Sequence, residues 1–590
     1  MSIILILFFG VIMEKWFLKS KKFNTDGRSP FTLEYIKQIL LYNRNIIGDD
    51  KKEEFFNSNI DRIHSPKLFK ESEKFLEIIE NVKNNNQKIC IVGDYDVDGI
   101  TSTTILIKLF NRLNIRNIYI IPNRISDGYG INRRCVDFAI DHNCDVIMTC
   151  DNGILAFDAI DYAKENGLTI IVTDHHEPYV ENDIQIRPNA DVVIDPKNDY
   201  DNYPFKYLCG AGVCLKLAKL LFTYYNIIDY ELMDELEVLA GIATICDVVD
   251  LIDENRVLAV NALKKIQYNK NLALNNLLEK NNISKDKVNS YHIGFIIGPR
   301  FNAIGRLDDA NFGVEFLLET DIEKINKMSD FINELNEKRK TITQKGYDLV
   351  FDRINNSHLP DIIVEYLEDV HESVAGIIAG KIKENFYRPT LIITKSNNEF
   401  KGSGRSVEGF NIYQSLLANK DYLTKFGGHE LACGFSMTPE NYNFFKAYFD
   451  NISLSDEVLT KKIFIDLFLP IEYIDHNILS LINDFKPFGK GNDEVLFADK
   501  SLTILDLKVL GKNSNVLNFT VKTSNGNIKK LVYFIDFNEF KKNITKEYGN
   551  INIIGSKMDI VYYPEENIYN GNVYLNFIIK HLRLSEVNYD

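Results

Sequence analysis

The chain has 590 residues, 45% of them hydrophobic and 26% charged, with 38 Phe and 30 Tyr. That composition excludes an intrinsically disordered chain, and at about 150 residues per domain it allows three or four domains. The formal net charge of -15 argues against a general nucleic-acid coat but not against an enzyme whose carboxylates gather cations; any grip on nucleic acid must then be a local basic track.

Residues 3–13 form an apolar run too short to span a bilayer. No basic residue precedes it and no small-residue cleavage signature follows it, so a signal peptide is not expected. Translation is expected to start at Met13, with residues 1–12 an extension; an intact mass of the native protein that includes Met1 or Ser2 contradicts this. The eight Cys are scattered and make no Cys-x-x-Cys pair. They read as reduced, mostly buried cytosolic thiols rather than zinc ligands.

From residue 88 to about 196, strands and helices alternate. The run 89–92 stops at Gly93. A helix follows with Ile105, Leu106, Leu109, Phe110 and Leu113 on one face. Strands are expected at 118–121, 146–148, 170–172 and 192–194, with an amphipathic helix at 154–165 closed by Gly167. Apolar strands with helical crossovers imply a parallel sheet covered on both faces, with ligands beyond its carboxyl ends. Helical spacing continues from residue 210 to about 265. Residues 321 to about 355 read as one long exposed helix, 362 to about 453 as mixed strand and helix, and the stretch after 459 as strand-rich, suggesting a small β-barrel.

Five segments carry the chemistry: Gly93-Asp94-Tyr95-Asp96-Val97-Asp98-Gly99, Thr149-Cys150-Asp151-Asn152-Gly153, Asp174-His175-His176-Glu177, Ile194-Asp195-Pro196 and Cys246-Asp247-Val248-Val249-Asp250. All five are read as strand ends, although the last lies within the stretch of helical spacing. Hard divalent cations take oxygen and imidazole ligands. Together these Asp and His look like the parts of a two-metal site, which cuts phosphoesters by holding the attacking and leaving oxygens between two cations.

At these segments the chain resembles the DHH phosphoesterase superfamily and, within it, the RecJ single-strand-specific exonucleases. Segments 93–99 and 173–178 are similar to the superfamily's first and third motifs. Segments 124–130 and 298–306 resemble stretches specific to RecJ. Segments 401–406 and 427–434 resemble the associated C-terminal domain, and 487–492 the opening of a RecJ-type oligonucleotide-binding barrel. Two residues depart from the pattern: Cys433 stands where Ala is usual, and Gly404 where Ala is common.

The resemblance implies an α/β architecture. A parallel-sheet DHH domain is expected at 41–315 after an N-terminal segment at 1–40. A connecting helix at 316–355, a smaller α/β DHH-associated domain at 356–458 and an OB-type β-barrel at 459–590 follow. It implies that Asp94, Asp96, Asp98, Asp151, His175 and Asp247 bind two Mn²⁺ or Mg²⁺ ions, with Asp151 bridging and Asp94 either a ligand or a supporting group. Asp151 by itself reads equally well as a helix N-cap. His176 is implied to contact the scissile phosphate, Asp174 to orient an imidazole, and Arg300 to clamp the phosphate through its fork of donors. Asn302 and Arg306 would orient the loop on the nucleic-acid side, although Arg306 could instead pair with Asp308 or Asp309. Arg124, Ser403 and Arg405 would form a pocket for a terminal 5′-phosphate. His429 reads as a backbone contact near that pocket or as a buried structural His. Asp195 reads as a turn at least as readily as chemistry, Asp250 as a cap or a supporting group, and His142 has no role.

The activity implied is metal-dependent 5′→3′ degradation of single-stranded DNA to nucleoside 5′-monophosphates, in recombination and repair. The implied partners are single-stranded DNA, a single-strand-binding protein and a helicase, for a cytoplasmic monomer with no membrane attachment. Two other readings stand beside it: a small-substrate phosphodiesterase of the same superfamily, against which the extra barrel argues, and a non-enzymatic scaffold, against which the intact carboxylates argue.

Overall fold

The computed structural model describes residues 13–20, 31–355, 358–396, 398–511, 513–569 and 572–587; the expected start-site extension at 1–12 lies outside them. The described chain divides into two units. One holds Glu53–Thr341 with Pro487–Asp493, and the other holds the remainder.

The first unit is built on five parallel strands: β1 (Lys88–Val92), β2 (Arg116–Ile120), β3 (Val146–Thr149), β4 (Thr169–Thr173) and β5 (Val192–Ile194), in the order β2-β1-β3-β4-β5. Side chains alternate across a strand, and the two faces of the sheet feed two cores. Ile89, Ile91, Met148 and Ile171 enter one; Cys90, Val92, Ile147, Ile170 and Val172 enter the other. Helix α1 (Val97–Arg112), α4 (Gly210–Tyr224) and α5 (Tyr230–Cys246) cover the first face. The short helices α2 (Arg133–Asp141) and α3 (Phe157–Glu165) cover the second. Helix α1 is buried almost all round, so its three threonine hydroxyls need partners inside it. Thr101, Thr103 and Thr104 each donate to the carbonyl four residues earlier, at 2.7, 2.8 and 2.8 Å.

Two sequence expectations are corrected here. The helix expected from residue 154 begins at Phe157. Ile154 is buried but lies in the preceding loop, where its N–H donates to Asp174 Oδ2 at 2.9 Å. Asp151 is therefore no N-cap. Asp247 ends helix α5 as its C-cap rather than closing a strand; the apolar run before it suits either state, and periodicity alone does not separate them.

Helix α6 (Gly298–Leu307) follows a π-helical turn at His292–Ile297, and helix α7 spans Ile322–Asn355. The long helix is exposed only in part, since Ile325, Ser329, Ile332 and Asn336 are fully buried. Segment 487–492, expected to open the barrel, packs in the first unit. Leu251 N donates to the Lys490 carbonyl at 2.7 Å, the Lys490 ammonium lies 3.7 Å from Asp250, and Ser290 donates to the Phe488 carbonyl at 3.0 Å.

In the second unit, β6 (Ile363–Leu367), helix α8 (Ala375–Phe386), β7 (Thr390–Ser396), β8 (Glu399–Arg405), β9 (Lys425–His429) and β10 (Ala432–Met437) form an α/β layer with strand order β9-β10-β8-β7-β6. The register pairs Gly404 with Cys433. A Cβ at residue 404 would lie 2.5 Å from Cys433 Sγ and 2.7 Å from Ile412 Cδ1, so the two departures from the family pattern compensate each other: the larger side chain fits because its neighbour lacks one. Gly404→Ala is expected to cost about 1–3 kcal/mol by overpacking, and adding Cys433→Ala should recover part of it. Denaturation midpoints measure both; a double variant no more stable than the single one contradicts this pairing.

The strand-rich end follows. Strands β11 (Phe497–Leu510), β12 (Val516–Lys522), β13 (Ile528–Phe534), β14 (Lys557–Tyr569) and β15 (Asn572–Glu586) pair in sequence β11-β12-β13-β15-β14, and β14 pairs back onto β11. A helix, Phe537–Tyr548, that the alternating pattern did not announce connects β13 to β14. Met13–Leu18 forms a strand parallel to Thr460–Ile465, fixed by Glu14 at 3.1 Å from His581 and by Arg583 over the Trp16 ring at 4.4 Å.

Candidate metal centre

The site grows from the carboxyl ends of β1, β3 and β4. After β1 the chain turns sharply into α1. Asp96 caps that helix, its Oδ1 accepting from Asp98 N at 2.9 Å and Gly99 N at 3.2 Å. Asp98 lies in the first turn and is buried. Its two oxygens accept from Gly210 N at 2.6 Å and Ala211 N at 2.7 Å, at the start of α4, so one helix N-terminus fixes a carboxylate presented by another. Asp94 is also buried, and its Oδ1 has no hydrogen-bond partner.

Asp151, beyond β3, takes a left-handed backbone with φ 62°. This strained conformation turns its side chain inward, where Oδ1 has no hydrogen-bond partner. Gly210 makes the space, since a Cβ there would lie 2.6 Å from Asp151 Cβ. The neighbouring Asn152 is fully buried and ties three segments together: its Nδ2 donates to Val92 O at 3.0 Å and Cys150 O at 2.9 Å, and its Oδ1 accepts from Ile131 N at 3.0 Å.

Asp174 organises the two imidazoles. Its Oδ1 accepts from His175 N at 2.7 Å, His176 N at 3.2 Å and His176 Nδ1 at 2.7 Å. His175 Nε2 stands 3.0 Å from Asp151 Oδ1, 3.6 Å from Asp98 Oδ2 and 3.7 Å from Asp247 Oδ2, yet is aligned for a hydrogen bond with none of them. Three groups of donor atoms result, each within 4.8 Å of one another: Asp94, Asp96 and Asp151; Asp151, His175 and His176; Asp98, His175 and Asp247. The first two share Asp151 and the last two share His175. Among the buried side-chain atoms without a hydrogen-bond partner, Asp94 Oδ1, Asp151 Oδ1 and His175 Nε2 belong to residues of these groups, and buried polar atoms ordinarily have partners. The residues fit a pair of divalent cations.

The electrostatics agree. Burial, followed by mutual repulsion, pushes the Asp94, Asp151 and Asp247 carboxyls well above their ordinary range and Asp98 to about 6. Burial and the neighbouring His176 charge push His175 down to about 3, leaving the neutral imidazole that a metal requires. His176 behaves oppositely. Burial would lower it, but the charge and hydrogen bond of Asp174, with Asp247 and Asp94, hold it at about 9. For Asp174 the reverse holds: His176 and His175 outweigh burial and carry it to about 2.

Sequence reasoning missed Tyr129 at this site. Its hydroxyl donates to the Asp151 carbonyl at 2.9 Å and lies 3.0 and 3.2 Å from the ring nitrogens of His176. Its only sequence signal was membership of segment 124–130. Of the basic residues, Arg124 lies over the Tyr95 ring at 4.6 Å. Arg306 is deeply buried and held down at about 9 by that burial, then by Arg124 and Arg339. Asn302 accepts from Val97 N at 3.2 Å, pinning the start of α1. Gly305 sits directly on the Tyr95 carbonyl, which a Cβ would overlap. Arg300 is not brought among the carboxylates by any hydrogen bond: its Nε donates to Asn333 at 2.7 Å and its Nη1 to Ile296 O at 2.6 Å.

In the second unit, Ser403 and Arg405 share β8, with Arg405 Nη1 3.4 Å from Ser403 Oγ. His429 is exposed on β9, which removes the buried structural alternative. Asp195 is fully buried, its Oδ1 accepting from Lys197 N at 2.8 Å and its Oδ2 without a hydrogen-bond partner, and Asp250 lies beside Lys490. His142 ends α2 and faces the Phe138 carbonyl.

Residues 88–244 match the DHH family, N-terminal domain; 360–453 the DHHA1 domain; 465–581 the RecJ OB domain. The single-stranded-DNA-specific exonuclease RecJ of Haemophilus influenzae is 31% identical over 532 residues, covering 86% of this chain and 90% of that protein. The chain belongs to the RecJ family. The Bacillus subtilis RecJ is also 31% identical, over 86% of this chain, but the chain spans only 63% of that longer protein. The RecJ structure from Thermus thermophilus, in complex with Mn²⁺, superposes with a TM-score of 0.76 at 23% identity, over 94% of this chain and 76% of that one. The fold is thus that of RecJ from the sheet to the final strands.

Proposed function

We propose that the chain is a metal-dependent exonuclease that degrades single-stranded DNA from its 5′ end to nucleoside 5′-monophosphates, acting in recombination and repair. The observation that carries this reading is the pair of donor groups joined through Asp151 and His175, in a chain related to named exonucleases over most of its length. The donor set suits Mn²⁺ or Mg²⁺, its imidazole inclining it toward Mn²⁺. When bound, two such cations make water nucleophilic at neutral pH and neutralise charge developing on the phosphate.

The chain's own residues do the rest. Asp94, Asp96 and the shared Asp151 hold one position; Asp98, His175 and Asp247 hold the other. Asp174 keeps His176 protonated and its ring turned, so that a cationic N–H meets the scissile phosphate. Tyr129 buttresses that ring against the Asp151 backbone. Arg300 donates to the phosphate oxygens from a position steadied by Asn333, while Asn302 and Arg306 hold the loop that carries Asp94 and Asp96. Ser403 and Arg405 bind the terminal 5′-phosphate, with His429 contacting the adjacent backbone. An anchor at one strand end sets single-nucleotide steps. The OB domain grips single strands by stacking and charge without reading sequence. A single-strand-binding protein and a helicase would supply such substrate. No helix among the described residues is long and apolar enough to cross a membrane, and a cytoplasmic monomer is the working picture.

Digestion of 5′-phosphorylated, 3′-blocked single strands with Mn²⁺ tests the reading. Mononucleotides released in order from the 5′ end are expected. Release from the 3′ end, or cleavage confined to dinucleotides, overturns it.

A further inference from the structure

We propose that Gly376 is a specificity-determining position, whose missing side chain lets Ser403 and Arg405 pack against helix α8 in the positions from which they receive a phosphorylated 5′ end. The inference rests on the terminal-phosphate reading given above and goes beyond it by naming what sets those donors in place.

Gly376 is the second residue of helix α8 and faces strand β8. A Cβ there would lie 2.8 Å from Ser403 Oγ, 3.0 Å from Arg405 Nη2 and 3.5 Å from Arg405 Cζ. Its backbone is not in the left-handed region, so glycine is not needed for conformation, and alanine is the better helix former. Space is the remaining reason for glycine. One turn later on the same side of the helix, Gly380 has no atom within 4 Å of its absent Cβ, so the close approach is confined to the turn beside Ser403 and Arg405.

What borders the space is suited to phosphate. Ser403 offers a hydroxyl, and Arg405 a guanidinium whose Nη1 also donates to the Gly404 carbonyl at 2.8 Å. Glu372, just ahead of helix α8, is paired with Lys401 of strand β8 at 3.1 Å, which offsets its charge. Ser403, Arg405 and Gly376 are all only half-buried, leaving the donors reachable. The two groups a Cβ would meet are the ends of movable side chains. An alanine at 376 would therefore displace the donors rather than unfold the helix.

The test is the ratio of kcat/KM for 5′-phosphorylated over 5′-hydroxyl single strands of one sequence, with Mn²⁺, for wild type, Gly376→Ala, Gly380→Ala and Arg405→Lys. Melting temperatures are measured alongside. Wild type is expected to favour the phosphorylated end. Gly376→Ala should lower the ratio about tenfold or more while melting like wild type, Arg405→Lys should lower it too, and Gly380→Ala should leave it unchanged. If Arg405→Lys lowers the ratio and Gly376→Ala does not, or if Gly376→Ala slows both substrates equally or fails to fold, the inference falls while the terminal-phosphate reading stands. If wild type shows no preference, or Arg405→Lys keeps it, that reading fails and takes the inference with it.

Discussion

Replacing Asp151 with asparagine should lower Mn²⁺-dependent digestion of single strands by about 10³-fold or more, roughly 4 kcal/mol of transition-state stabilisation, while the metal-free protein melts higher than wild type. Both effects follow from one arrangement. Asp151 Oδ1 is buried without a hydrogen-bond partner, and Asp151 groups with Asp94 and Asp96 while its Oδ1 stands 3.0 Å from His175 Nε2 of the other position; losing its charge would impair both cation positions at once. Without cations, the same charge faces Asp98, Asp96, Asp94 and Asp247 in a buried setting that drives its pKa well upward. Removing it relieves that repulsion.

The pH dependence of the metal-free wild type carries the same signature. Groups with raised folded pKa values bind more protons folded than unfolded, so their contribution to stability falls as pH rises. Asp94, Asp98, Asp151, Asp247 and His176 all have this sign, although Asp98, at about 6, has lost its contribution by pH 7. His175, lowered to about 3, has the opposite sign, but its contribution is complete above its unfolded pKa of about 6.5. Between pH 7 and 9 the metal-free protein should therefore lose thermal stability, and Asp151→Asn should lose less. Thermal melts in chelator across that range measure both; an Asp151→Asn protein that melts lower than wild type contradicts the crowding of charge described here.

Asp174→Asn should lower activity about 10²–10³-fold at pH 8, and less at pH 6. The carboxylate accepts hydrogen bonds from Ile154 N, His175 N, His176 N and His176 Nδ1. An amide of the same shape must turn an NH₂ group toward some of those donors, and it removes the charge that keeps His176 protonated to about 9. Second partners of this kind commonly govern metal affinity 10–100-fold; here the loss of His176 charge adds to it. The pH–rate profile separates the two contributions. Its basic limb should move to lower pH in the variant, while weakened metal binding alone shifts the Mn²⁺ requirement without moving the limb once Mn²⁺ saturates. An unmoved limb contradicts the role given to His176.

Much of this site was legible because its carboxylates are punctuated by chain breaks. Gly93 ends an apolar run and Asp96 opens a helix, so segment 93–99 announces itself as a strand-to-helix turn, and Thr173-Asp174-His175-His176 does the same after β4. Asp247 was placed on the wrong kind of element because a fully buried helix and a buried strand leave the same apolar trace. Ile154 misled in a similar way: it is apolar and buried, but buried in a loop. What local pattern could not show is closure between distant segments. Tyr129 on the Asp151 backbone, the α4 N-terminus on Asp98 and Gly305 against the Tyr95 carbonyl join residues 22, 112 and 210 positions apart, and no periodicity reports such contacts. The return of segment 487–492 to Asp250 and Leu251 was hidden for the same reason.

The central claim is that residues from four stretches of chain cage two cations with Asp151 between them. Anomalous diffraction from a crystal grown with Mn²⁺ tests it most directly. Two peaks are predicted roughly 3.5–4 Å apart, one beside Asp94 and Asp96, the other beside His175 and Asp247, with Asp151 touching both. A single ion, or two that do not share Asp151, would contradict the account.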